Sequence, residues 1–127
     1  MTIRLDHTIV PAHDKVAAAN FFAEIFGLEV KPDIGYFAQV QVNESLTLDF
    51  ADEAKETLQS HHLAFHVSDA EFDAIWDRLK SREHPFGSGP GQRANGQLYD
   101  RRGGRGLYFD DPNGHVLEIM TVPETGS

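Results

Sequence analysis

Apolar and polar positions along this chain follow two periods, and the change from one to the other happens twice. From Ile3 to Val10 the residues alternate, with Ile3, Leu5, His7 and Ile9 on one face and Arg4, Asp6, Thr8 and Val10 on the other. That is the two-residue period of a strand, and Pro11 is expected to end it. Between His13 and Phe26, the apolar residues Val16, Ala19, Phe22, Ala23 and Phe26 recur at three- and four-residue steps, which predicts an amphipathic helix stopped by Gly27. Three short strands should follow, Leu28–Val30, Tyr36–Val42 and Leu46–Phe50, punctuated by Pro32, Gly35 and the Asn43-Glu44-Ser45 turn.

Beyond the polar link Ala51–Ser60 the same order returns. His61–Val67 reads as a strand, with His62, Ala64 and His66 facing one way. Ser68 and Glu71 have the spacing of a capping box, ahead of a helical stripe of Phe72, Ile75, Trp76 and Leu79. Pro85–Gly106 is a Gly-, Pro- and Arg-rich loop with a short strand at Gln97–Asp100. Strands at Gly106–Asp110 and His115–Thr121 are joined by the turn Asp111-Pro112-Asn113-Gly114. The second half therefore repeats the first. The predicted fold class is α+β: one domain, residues 1–127, of two βαβββ modules, 1–55 and 56–127, whose curved mixed sheet encloses a cavity.

Composition narrows the chemistry. With no cysteine among 127 residues, disulfides and thiolate metal sites are excluded, which suits a reducing compartment. The N-terminus lacks the apolar core of a secretory signal, so a cytoplasmic location is expected. Val16–Val30, the longest mostly apolar stretch, is interrupted by Asn20, Glu24, Gly27 and Glu29, and no membrane span is expected. A net charge of −9 disfavours a nucleic-acid partner.

The repeat also pairs the residues that carry chemistry. His7 and His62 occupy the same point of equivalent first strands, and Asp49 and Glu118 match in equivalent last strands. Asp49 is flanked by Leu48 and Phe50, and Glu118 by Leu117 and Ile119, so each carboxylate points away from a core-facing pair and needs a partner. Two imidazoles with one or two carboxylates suit one divalent ion such as Fe, Mn, Ni, Zn or Co, and three such ligands leave positions open to substrate oxygens. His66, on the His62 face, is a candidate acid/base group, and Tyr99 and Tyr108 are candidate phenols. Arg93, Arg101, Arg102 and Arg105 place positive charge in the loop, where Arg105 and Arg101 are candidates to hold a small anionic substrate. His115 is expected to be solvent-exposed beside its turn, and His13 and His84 receive no role.

These motifs resemble the vicinal oxygen chelate superfamily of glyoxalases, extradiol dioxygenases, and fosfomycin- and bleomycin-resistance proteins. The resemblance runs through Leu5-Asp6-His7-Thr8-Ile9-Val10, Phe26-Gly27-Leu28, His62-Leu63-Ala64-Phe65-His66-Val67 and, most specifically, the run Gly106 to Ile119. It implies a metal held by His7, His62 and Glu118, with Asp49 where glyoxalase-like members carry a fourth, acidic ligand. It also implies a homodimer and a metal-dependent enzyme, either lyase/isomerase-like or a ring-cleaving dioxygenase. The alternative from another class is a non-enzymatic drug- or metabolite-binding protein of the bleomycin-resistance type.

Overall fold

A computed structural model describes residues 3–124. Two compact units divide the chain, Met1–Gln59 and Ser60–Ser127, so the ends of the expected modules at 1–2 and 125–127 lie outside the described residues.

The first unit contains β1 (His7–Ala12), α1 (Lys15–Phe26), β2 (Ala38–Gln41) and β3 (Thr47–Asp52), with sheet order β1-β3-β2. β1 runs parallel to β3, and β2 antiparallel to it. The Asp14 carboxylate caps α1 by accepting from the Val16 and Ala17 amides at 3.0 and 3.1 Å, and Gly27 ends the helix at φ 73°, a left-handed conformation that glycine adopts without strain. Ala18, Ala19, Phe22, Ala23 and Ile25 of α1 are buried, as are Val10, Ala38, Val40, Leu48 and Phe50 of the sheet. Phe22 lies 6.0 Å from Phe50 between ring centres, so the helix covers the even-numbered face of β3. The odd face carries Asp49.

Two expectations for this unit are corrected. β1 begins at His7, not Ile3, and continues through Pro11 to Ala12. Proline is tolerated there because β1 has one neighbour in its sheet, β3, which makes it an edge strand. Leu28–Val30 forms no strand, only a single bridge from Val30 to Val40. Squeezed between the Gly27 cap and Pro32, the run is too short to build a ladder.

The second unit contains β4 (His62–His66), α2 (Asp69–Ser81), β5 (Tyr99–Arg101), β6 (Gly104–Asp110) and β7 (Val116–Met120), in sheet order β4-β7-β6-β5. The β4/β7 pair is parallel, and β6 is antiparallel to both β7 and β5. Ser68 and Glu71 form the expected capping box. Its buried interior includes Phe72, Ile75 and Leu79 of α2 with Leu107, Phe109, Leu117 and Ile119 of the sheet.

His115 is corrected too: it is fully buried. It has the parity of Leu117 and Ile119, so the strand's two-residue period carries its ring to the core face. There its Nδ1 accepts the His61 backbone N–H at 2.9 Å, and its ring meets that of His61 edge-on at 5.2 Å. Asp111 fixes the approach by accepting from the His115 amide at 2.8 Å.

Candidate functional site

Strand register sets a histidine and a carboxylate in the same frame in both units. In the first unit Ile9 pairs with Asp49, and in the second Ala64 pairs with Glu118. His7 and His62 each precede that pairing partner by two residues. Each histidine therefore lies on the sheet face of its unit's carboxylate, one step along the strand. Both carboxylates are buried, Asp49 at 5% exposure and Glu118 at 4%, whereas the histidine side chains are half exposed, 58% for His7 and 48% for His62.

The two frames carry different partners. Asp49 accepts from the Gln39 amide at 2.9 Å, across the antiparallel β2/β3 pair. His7 donates through Nδ1 to Asp6 at 2.8 Å. That bond chiefly raises the His7 pKa, opposed by desolvation, and the charge of Asp49 adds to the rise. In the second unit Glu118 is the acceptor for a larger group. His62 Nε2 donates to its Oε1 at 2.9 Å, the Tyr99 hydroxyl donates to Oε2, and an Arg101 guanidinium nitrogen lies 3.9 Å from Oε2. Burial first, and the neighbouring Glu118 charge and hydrogen bond next, push both the Tyr99 and the Tyr108 phenols above the ordinary tyrosine range.

Gly106 makes the Tyr99 contact geometrically feasible. It is the pairing partner of Tyr99, and a Cβ on it would stand 1.9 Å from the Tyr99 ring. The phenol lies across the glycine and so reaches Glu118. Sequence reasoning missed both Gly106 and Gln39. For Gln39 a signal was present: Gln39 and Gln41 alternate with Ala38 and Val40, which puts an amide on the outward face of β2.

The same alternation sorts the other candidates. Arg101 pairs with Gly104 and Arg105 with Asp100, so the two guanidiniums leave opposite faces of the sheet. Arg105 reaches α2, where it binds Asp73 at 2.8 Å and Asp69 at 3.0 Å and lies over the Phe72 ring. Arg101 lies on the Glu118 face, over the Tyr99 ring. Tyr108 pairs directly with Glu118, its ring 5.8 Å from that of His62. His66 is exposed and donates to the Thr121 carbonyl at 3.2 Å. His62, not its neighbour His61, is the histidine beside Glu118.

Among the described residues no group of three or more His, Asp or Glu side chains assembles as a ready metal cluster. The donor chemistry of the second unit nonetheless fits a cation. Its buried carboxylate needs compensating charge. Glu118 Oε1 and His62 Nε2, 2.9 Å apart, are an oxygen and a nitrogen donor of the kind that borderline divalent ions take. His62 and Glu118 are therefore residues that would hold a divalent ion, in place of the hydrogen bond they now make.

A strand-helix-strand unit repeated in sequence, with a histidine and a buried carboxylate in identical register, defines the class. The chain belongs to the Glyoxalase/Bleomycin resistance protein/Dioxygenase superfamily, whose family model matches residues 4–119. Its structure is similar to that of the oxidase ChaP-H2, with a TM-score of 0.92 and 44% identity, covering 99% of this chain and 98% of that one. The oxidase ChaP-H1 is similar at a TM-score of 0.90 and 43% identity, over 98% of this chain and all (100%) of that one. In sequence the chain is also 25% identical over 126 residues to a metallothiol transferase FosB of Lysinibacillus sphaericus (strain C3-41), spanning 95% of this chain and 84% of that protein. No helix among the described residues is long and apolar enough to cross a membrane.

Proposed function

We propose that the protein is a divalent-metal-dependent enzyme of the oxidative branch of this superfamily, acting on a small organic substrate that presents two oxygens to the metal. The observation that carries this reading is the buried Glu118 carboxylate hydrogen-bonded to a half-exposed His62, in the register that His7 and Asp49 repeat. Similarity at 44% identity to a protein named an oxidase favours redox chemistry over the lyase or isomerase alternative. His7, His62 and Glu118 are the proposed ligands.

When bound, the ion supplies Lewis acidity toward substrate oxygens and, if it is iron or manganese, a path for electrons to dioxygen. The remaining work falls to the chain. Asp6 holds the His7 ring by its Nδ1–H and leaves Nε2 free for ligation. Tyr99 fixes the Glu118 carboxylate. Asp49, with one oxygen taken by Gln39, would add negative charge beside His7 without itself being a ligand. Tyr108 stays protonated at neutral pH and serves as a hydrogen-bond donor.

Elemental analysis and oxygen uptake test this reading. Purified protein should hold stoichiometric metal, which His7→Ala and Glu118→Ala should lose with the fold retained by circular dichroism, while Asp49→Asn should keep it. Stoichiometric metal persisting in both of the first two variants would sink the ligand assignment. The homodimer implied by the resemblance is proposed as the working state, supported by the exposed apolar Leu5 and Ile9, and light scattering measures it directly.

A further inference from the structure

Of the four arginines in the 85–106 loop and its flanks, three have protein acceptors for their guanidiniums. Arg93 binds Asp110 and the Pro90 carbonyl, Arg102 binds the Pro123 and Glu124 carbonyls, and Arg105 binds Asp69 and Asp73. The cleft of about 480 Å³ lined by His84, Arg93, Asp110 and Asp111 thus has its cation already engaged. Arg101 differs. Its Nη1 is buried and has no hydrogen-bond partner, a condition shared among the described residues only by Trp76 Nε1. Its Nη2 stands 3.9 Å from Glu118 Oε2, beyond a hydrogen bond. Buried N–H groups are nearly always satisfied, and leaving a charged donor unmatched costs stability. Arg101 nevertheless persists on the face of Glu118, packed over a Tyr99 ring that Gly106 admits.

We propose that Arg101 forms an oxyanion subsite beside Glu118, and that it receives a carboxylate oxygen of the substrate. A guanidinium offers donors only, so its natural ligand is an acceptor-only oxygen, and a planar fork selects an anion over a neutral isostere. Nη1, the donor without a protein acceptor, is the one offered to the ligand, which takes the place of the groups that now cover it. Arg101 then orients a substrate whose other oxygens would be available to a metal held by the proposed ligands. This deepens the metal-enzyme reading and rests on the same face of the sheet.

Salicylate and its neutral isostere salicylamide serve as the probe pair, titrated calorimetrically into Mn²⁺-supplemented protein at matched metal content. The ratio of the two affinities should fall about tenfold in Arg101→Gln, the worth of one charge-assisted hydrogen bond, and partly recover in Arg101→Lys. Arg102→Gln, which removes an equal charge from a guanidinium held by main-chain carbonyls, should leave the ratio as in the wild type. An unchanged ratio in Arg101→Gln overturns the subsite, as does an equal fall in Arg102→Gln. The metal assignment is decided separately, by the metal content of His7→Ala and Glu118→Ala.

Discussion

The two units present one backbone frame with two different sets of partners. In the first, a short aspartate is held by a neutral amide, and its histidine turns to an exposed neighbouring carboxylate. In the second, a longer glutamate gathers an imidazole, a phenol and a nearby guanidinium, and a glycine is kept bare so that the phenol can reach it. Duplicated strands supply matched positions. The donors are concentrated around one of the two carboxylates, and it is in that half that we propose substrate recognition.

The sharpest way to break this asymmetry is to remove the two carboxylates in turn. Glu118→Ala should abolish stoichiometric metal and lower stability by roughly 1–3 kcal/mol, because the Tyr99 hydroxyl and the His62 ring lose a buried acceptor. Asp49→Ala should leave metal in place and shift unfolding less. Equal losses from both, by elemental analysis and urea denaturation, would erase the distinction between the units.

Gly106→Ala probes the cradle itself. With a Cβ 1.9 Å from the Tyr99 ring, the phenol must leave Glu118, and overpacking of this kind costs about 1–3 kcal/mol. The penalty should shrink sharply when Tyr99→Ala is added, and a double-mutant cycle without such coupling would show that the glycine serves some other purpose.

Smaller effects compare the groups that hold each carboxylate. Tyr99→Phe should weaken metal binding by about tenfold, the lower end of the effect of groups that orient ligands. Gln39→Leu should change it by less, since Asp49 is proposed to lie outside the shell. Competition with a chromophoric chelator ranks the two, and the reverse order would promote Asp49 to a ligand.

The helix caps should show the least difference. Asp14→Ala and Ser68→Ala each remove a side-chain acceptor from a helix start, with an expected cost of ~1 kcal/mol apiece. Near-equal midpoint shifts are expected; a much larger loss in one would mean that its helix holds its unit together.

Much of this was legible in the chain. The period of Val16 to Phe26 and the Gly27 stop marked α1, and the Ser68/Glu71 spacing marked α2, because capping chemistry is local. The repeat itself brought out His7, His62, Asp49 and Glu118, which the strand registers then set in matching frames. What escaped depends on contacts distant in sequence. Pro11 reads as a strand terminator until the pairing places β1 at the edge of its sheet. His115 reads as exposed beside its turn, but its parity with Leu117 and Ile119 sends it into the core, where it anchors the residue before His62. Loop composition singled out Arg105 and Arg101 together, and only strand pairing shows that they leave opposite faces of the sheet.

By itself, then, the sequence determined both helices, most of the strands, their duplication and the residue types available for chemistry, since periodicity, caps and turns are properties of neighbouring residues. Tertiary structure alone decided which candidates act together. Strand pairing assigned Tyr99 to Gly106 and Glu118, and Gln39 to Asp49. Pleating then sent Arg105 toward a helix and left Arg101 beside the buried carboxylate. The physical reason is that a one-residue step reverses the face of a side chain, and register is set by partners dozens of positions away.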